Sequence, residues 1–378
     1  MKERKPAEVF PPGEFLREEL EARGWTQGDL ASILGRSQRL VNEVIMGKRS
    51  LTPETAKGLS EALGTSADFW LNLQNTWALA QTSNPSGGVS RRAKLYTKAP
   101  VNEMIRRGWI EGSDNVDVLE KRVLEFLEIR DIDEETSFCR FAARKSTSYA
   151  NDTSSQRAWI LHAKHLAETL SPASFSERSI SEALRLLKPF LSAAEEIRKV
   201  PTALAECGIR LLVVEPLKGT KIDGASFWLD ERSPVVVLSL RYDRIDHFWH
   251  TLIHELGHIK HRDSLRQKRP MIDSDLLGSP KGNEKPREEQ LADEFAEEFL
   301  IPGAALHDFM SAVRPLYSTT RILGCANRLG VHPGILLGRL QFRGEVSYAH
   351  SRGMLAKVRD IIVPAALTDG WGSSNPLH

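Results

Sequence analysis

The chain has 378 residues, 41% of them hydrophobic and 27% charged, with a formal net charge of +1. That length allows two or three domains with sizeable cores, and the composition is ordinary for a globular protein. The near-zero balance excludes a global electrostatic pull toward nucleic acid or membrane. Cys139, Cys207 and Cys325 are far apart and lack CxxC spacing. This argues against a disulfide framework or a thiolate zinc site and fits a reducing, cytoplasmic setting. The segment MKERKPAEVF has no apolar signal core, and no run reaches the ~18 apolar residues of a membrane span.

After a tail over 1–11, residues 12–82 read as five short helices. PGEFLREELEARG (12–24) begins with Pro and Gly and stops at Gly24. TQGDLASILG (26–35) has Thr26 as N-cap with Asp29 three residues on, a capping-box arrangement. After a Gly35-Arg36 turn, Ser37 caps QRLVNEVIMG (38–47), whose Leu40, Val41, Val44 and Ile45 form an apolar face. LTPETAKGLSEALG (51–64) and TSADFWLNLQNTW (65–77) complete the set. Two short helices joined by a tight Gly turn make a helix-turn-helix. The second would enter a DNA major groove, with Gln38, Arg39 and Asn42 meeting base edges. Gln27, Ser37, Lys48 and Arg49 suit phosphates and the register of the recognition helix. Across 1–85 acids and bases nearly balance, but over 35–50 Arg36, Arg39, Lys48 and Arg49 face only Glu43. A two-faced surface is therefore expected, basic at the recognition helix. The competing reading is a helical bundle that binds protein.

PPGEFLREEL, WTQGDLASILG, SQRLVNEVIMGKRSLT and FWLNLQ together resemble the Cro/C1-type (XRE) helix-turn-helix domain, in its HigA-antitoxin-like branch. The resemblance implies a five-helix lambda-repressor-like fold and binding to a double-stranded operator. It also implies a homodimer, repression of the protein's own promoter, and a possible toxin partner.

QTSNPSGGVSRR (81–92) is polar and rich in Ser, Gly and Pro, and a linker is placed at 83–94. Residues 95–200 read as a helical connector, with helices at 99–110, 116–129, 156–170 and 180–200 and a loop at 143–156. His162 and His165 are three apart with no acid at ligand spacing, and are read as packing or surface residues. Strands follow at IRLLVV (209–214), ASFWLD (225–230) and PVVVLSL (234–240). An exposed strand edge there could hold a peptide in extended form.

These strands lead into DHFWHTLIHELGHIKH (246–261). Ile245, Trp249, Leu252, Leu256 and Ile259 make one apolar stripe. His254 and His258, four apart, lie nearly opposite it and can grip one Zn²⁺, with Glu255 within reach of the metal's water. One face of this helix should pack on the core and the other look into a cleft. His247, His250 and His261 fall near the same face and remain alternative ligands. A catalytic zinc needs a third protein ligand. REEQLADEFAEEFLIP (287–302) offers Glu289, with Glu288 competing, and Asp293 as acceptor from the free ring nitrogen of a ligand His.

HFWHTLIHELGHIKH followed by EEQLADEFAEEFLIP resembles the ImmA/IrrE family of cytoplasmic zinc metallopeptidases, over roughly 200–345. The resemblance implies zinc on His254, His258 and Glu289, with Glu255 as general base in peptide hydrolysis. The substrate would be a repressor, an antitoxin or the chain itself. The oxyanion-stabilising group stays open, with His307 and several Tyr as candidates. The expected fold is α+β, mainly α, ending in a minimal zincin domain (201–345) built of a small β-sheet and the HExxH helix. The segment 262–286 is charged, bears Pro and Gly, and is expected to be mobile; covering the cleft is one reading of it and disorder the simpler one. ANRLGVHPGILLGRLQFRG (326–344) should be helical, and 346–378 a tail in which 349–362 forms a last helix. The alternative function is a DNA-binding antitoxin or repressor whose zincin domain only senses or docks.

Overall fold

The computed structural model describes residues 9–82, 87–134, 153–274 and 285–369. The expected loop at 143–156 lies almost wholly outside them. The chain divides into two compact units, 1–89 and 90–378.

The first unit is five helices: α1 (Pro12–Arg23), α2 (Gln27–Leu34), α3 (Gln38–Ile45), α4 (Pro53–Leu63) and α5 (Ala67–Gln81). Hydroxyl side chains set four of the starts. Thr26, Ser37, Thr52 and Ser66 each accept a hydrogen bond from a backbone N–H three residues on, satisfying one orphan donor per helix. Gly35 ends α2 with a left-handed φ of 62°, which turns the chain into Ser37 two residues later. Leu16, Leu20, Leu30, Val41, Val44, Ile45, Leu59 and Trp70 form the core. Gly13 lets α1 close onto α3, for a Cβ there would come 2.3 Å from the Ile45 carbonyl oxygen.

The second unit is built on a five-stranded sheet. Before it come α6 (Gly88–Lys98), α7 (Val101–Arg106), α8 (Val116–Leu127), α9 (Ser154–Glu168), α10 (Ser179–Leu187) and α11 (Val200–Glu206). Strands β1 (Arg210–Val213), β2 (Ile222–Trp228) and β3 (Pro234–Leu238) are followed by α12 (Ile245–His261), α13 (Asp263–Gln267) and β4 (Met271–Ser274). Next are α14 (Arg287–Leu300), α15 (Gly303–Val313), α16 (Thr319–Leu329), α17 (Pro333–Phe342), α18 (Arg359–Ile362) and β5 (Leu367–Thr368). The strand order is β4-β2-β3-β1-β5. β1 runs parallel to β3 and β5, while β2 runs antiparallel to β3 and β4.

Both faces of this sheet are apolar. Leu211, Val213, Val236 and Leu238 join one core with α12 and α14–α17. Leu212, Val214, Val235 and Val237 join another with Leu95, Met104, Leu119 and Trp159 of α6–α9. The period of two in a strand sends alternate residues to opposite sides, and helices cover both. The stretch 95–200 is thus no free-standing connector: its first helices form one layer of the second unit. The 83–94 linker is shorter than expected as well, since α6 begins at Gly88.

The expected helix over 349–362 does not form. Only a single turn at Arg352–Met354 and the short α18 are helical. The backbone between them is spent on tertiary bonds: the Ala356 carbonyl accepts from Ile245 N–H at 2.9 Å, and Asp243 accepts from Val358 and Arg359 N–H, both at 2.8 Å. The expected tail instead supplies β5. No helix among the described residues is long and apolar enough to cross a membrane.

Candidate metal centre and nucleic-acid interface

α12 carries the His-Glu pair and is buried on nearly every side. His254 and Glu255 have no exposed surface, and His258 is 1% exposed. His247 and His250 of the same helix line a cavity with Lys285, Asp293 and Arg339, but among the described residues His254, Glu255 and His258 themselves are buried. β2, β4 and α14 cover the histidine face, while Ile245, Trp249, Leu252, Leu256 and Ile259 face the core as expected.

Small residues permit this approach. A Cβ at Gly224 of β2 would come 2.6 Å from Glu255 Oε1 and 2.6 Å from Thr251 Cγ2. α14 crosses α12 at Gly257, opposite Ala292. That crossing brings Glu289 to the histidines.

His254 Nε2 and His258 Nε2 are 3.1 Å apart. The Glu289 carboxylate lies 3.3 Å from the first and 3.7 Å from the second. Donors around a tetrahedral ion with bonds of ~2.0–2.1 Å stand ~3.3 Å apart, so this spacing suits one ion. Asp273 of β4 is the fourth member: its Oδ2 is 2.8 Å from His254 Nε2, and the four donor atoms lie within 4.8 Å of one another.

The outer ring nitrogens are held by carboxylates. Asp293 Oδ1 is 3.0 Å from His254 Nδ1, and Lys285 Nζ donates to the other Asp293 oxygen at 2.7 Å. Asp263 Oδ2 is 2.8 Å from His258 Nδ1. A carboxylate on Nδ1 fixes the ring so that Nε2 points inward with a lone pair available. The left-handed turn at Arg262, φ 55°, ends α12 and returns Asp263 to His258.

The charges call for a cation at this point. Burial opposes charge on His254, yet Asp273, Asp293 and Glu289 push its pKa well above the ordinary value. Burial likewise opposes charge on His258, but Asp263 and Glu289 raise it to about 10. Against the same desolvation, contact with both imidazoles holds Glu289 well below the usual carboxylate range. A divalent ion would meet this demand with neutral imidazoles, and the donor set of two imidazoles and carboxylates fits zinc. Burial, then the Asp273 charge, pushes Glu255 up, and neither of its oxygens has a hydrogen-bond partner among the described residues.

The alternative ligands stay outside this cluster. His247 stacks on Tyr242, with ring centroids 4.5 Å apart, and His250 sits 6.1 Å from the His254 ring. Glu288 and His261 are absent from the donor set, and His307 is exposed on α15. Asp263 and Asp273 were missed in the sequence. An acid just past the end of the His helix is a usable signal for Asp263. A four-residue strand gives none for Asp273.

In the first unit, Ser37, Gln38, Arg39, Asn42, Lys48 and Arg49 are exposed around α3, and Gln27 is half-buried. The Arg39 side chain is 87% exposed and donates to Glu43 at 2.8 Å, with Arg49 3.6 Å from the same carboxylate. Gln27 Oε1 accepts from Asn42 Nδ2 at 3.1 Å, tying the start of α2 to the exposed face of α3. Ser37 spends its hydroxyl on capping.

Comparison with known proteins divides along the same lines. Residues 16–70 match the family described as helix-turn-helix, and residues 206–341 match the peptidase M78 family, described as the IrrE N-terminal-like domain. An HTH-type transcriptional regulator, YddM, of Escherichia coli is 34% identical over 87 residues, 23% of this chain and 92% of that protein. Antitoxin HigA-1 of Vibrio cholerae is 39% identical over 82 residues, 21% of this chain and 74% of that protein. A solved HigA-family addiction-module antidote protein from Coxiella burnetii is 37% identical, covering 18% of this chain and 77% of that one, with a TM-score of 0.18.

Proposed function

The chain belongs to the Cro/C1-type (XRE), HigA-antitoxin-like helix-turn-helix regulators, fused to an ImmA/IrrE-type metallopeptidase domain, and on that premise we propose that it couples peptide hydrolysis to control of a promoter. The observation that carries the hydrolytic half is the convergence of His254 Nε2, His258 Nε2 and a Glu289 carboxylate beside a buried Glu255.

In this reading His254, His258 and Glu289 hold zinc. Zinc bound there lowers the pKa of a water to about 7 and polarises a carbonyl. Glu255 takes the water's proton and returns it to the leaving nitrogen. Asp293 and Asp263 hold the two imidazoles in the ligating tautomer.

Gln38, Arg39 and Asn42 read base edges of an operator at the protein's own promoter. Gln27, Lys48 and Arg49 contact phosphates, while Ser37 sets the start of the reading helix. The protein works in the cytoplasm as a homodimer on a palindromic site, and a toxin is a further partner, as the HigA likeness supports. The peptide cut belongs to a repressor, an antitoxin or this chain, where 81–92 is the first place to look.

The test is the intact mass of wild-type and Glu255→Gln protein, each expressed in cells and then incubated with zinc. Fragments in wild type alone support self-cleavage, and their masses locate the cut. Equal fragmentation in both removes Glu255 from the reaction. Two intact chains leave either a separate protein as substrate or a silent zincin domain, and make DNA binding the better-supported activity. The second reading, a zincin domain that only senses or docks, is favoured by one observation: His254, Glu255, His258 and Asp273 are buried, and only Glu289 of the donor set keeps partial exposure.

A further inference from the structure

That closure has a specific cause. β2 would be the outer strand of the sheet on the site's side, and an extended peptide adds to such an edge by backbone pairing. Here the edge is taken. β4 pairs antiparallel with β2, with Gly224 opposite Asp273, Ala225 opposite Ile272 and Ser226 opposite Met271. The same four residues carry Asp273 into the donor cluster, 2.8 Å from His254 Nε2, where it is 4% exposed.

A catalytic zinc keeps three protein ligands and one open position, whereas four protein donors close a site. His254, His258 and Glu289 make three. Asp273 makes four, from a strand that also fills the place where substrate backbone would pair. Gly224 joins the two effects: it pairs with Asp273 across the strands, and its missing Cβ leaves room for Glu255 Oε1. A permanent structural ion would not need a general base beside it, yet Glu255 stands there with both oxygens unpartnered among the described residues.

We propose that Met271–Ser274 is an internal pseudosubstrate, which holds the peptidase site shut by pairing with β2 and by placing Asp273 in the fourth donor position. The inference rests on the zinc reading above. The resting protein carries a four-donor ion and no activity. A peptide substrate must displace β4 from β2 and Asp273 from the ion together, so the two locks open as one.

Cobalt(II) loaded into the full-length chain in place of zinc tests this, with azide as a small anionic probe of an open position. The proteins are wild type, Asp273→Ala and the isosteric Asp273→Asn, read by visible absorption. In wild type, azide leaves the cobalt bands unchanged. In Asp273→Ala it shifts them, and the chelator concentration needed to strip the metal falls tenfold or more. Should the Ala variant fail to fold, Asp273→Asn keeps the side-chain shape and gives the same result at higher azide. Azide shifting wild type and variants alike overturns the proposal, because the fourth position was then open from the start. Bands unchanged by azide in all three, with equal chelator resistance, also overturn it, since Asp273 is then no ligand. If wild type takes up no cobalt, the metal reading itself fails, an outcome distinct from either.

Discussion

Gly257 of α12 lies against Ala292 of α14: a Cβ built on the glycine would stand 3.2 Å from the alanine Cα and 3.2 Å from Phe295 Cδ1. Both residues are buried, so neither helix can yield toward solvent. Gly257→Val should therefore cost about 1–3 kcal/mol by overpacking. It should also weaken zinc binding, because it pushes away the helix that carries Glu289. Thermal unfolding and chelator competition on one protein check both effects. Lost stability with unchanged zinc affinity would show that Glu289 does not depend on this crossing.

Among the described residues, Asp263 meets the site through His258 Nδ1. Asp263→Asn should lower zinc affinity roughly 10- to 100-fold while the protein stays folded, as outer partners of ligand histidines commonly do. Zinc affinity equal to wild type, measured by competition with a chromophoric chelator, would reduce Asp263 to a helix-end residue.

His162 gives a pH dependence remote from the metal centre. Its ring stacks on Trp109 with centroids 4.1 Å apart, and burial, then the nearby His165 and Arg107, lowers its pKa to about 3. The unfolded chain takes up this proton near the ordinary value of about 6.5. Between those two values the unfolded state binds more protons, so stability is full above pH 6.5 and falls as the pH drops toward 3. His162→Phe should remove about one proton from the slope of stability against pH over that window. Urea melts at pH 7 and pH 5 decide it; identical slopes would place the His162 ring in solvent.

Arg39 is exposed and shares Glu43 with Arg49. If Arg39 reads a base edge, Arg39→Ala costs about 1–3 kcal/mol on the operator and relaxes one position. If it contacts phosphate, binding to every sequence weakens alike and the salt slope falls by about one. Titrations on operator and scrambled DNA at two salt concentrations separate the cases.

The first unit was legible because its signals are local. Thr26 and Ser37 start α2 and α3, and Gly24, Gly35 and Gly64 end α1, α2 and α4, so most of these helix boundaries are marked by adjacent residues. The pairing of His254 with His258 could be anticipated for a related reason: spacing within a helix fixes which side chains share a face, whereas Glu289 meets them only through the crossing of α14 on α12. Asp273 could not, because its position depends on a strand pairing across 45 residues, Ser226 with Met271, that no local pattern encodes. Burial of α6–α9 on the sheet was hidden in the same way. An amphipathic helix states that it has an apolar side, never which partner will cover it. The helix expected over 349–362 failed for the converse reason, as tertiary bonds from Ile245 N–H and Asp243 outweighed local propensity.

The last strand of the sheet arrives late in synthesis. β5 lies beside β1, and Asp369 just beyond it accepts from Glu215 N–H at 3.0 Å and pairs with Arg107 at 3.2 Å. The five helices of the first unit lie within residues 1–89. At ribosomal speeds of roughly 5–20 residues per second, about 15–60 s separate completion of the two halves. A chain arrested in that interval, or a message cut short, would hold the helix-turn-helix unit without the finished sheet that carries the metal centre. Translation itself thus sets the order in which the two units come into being.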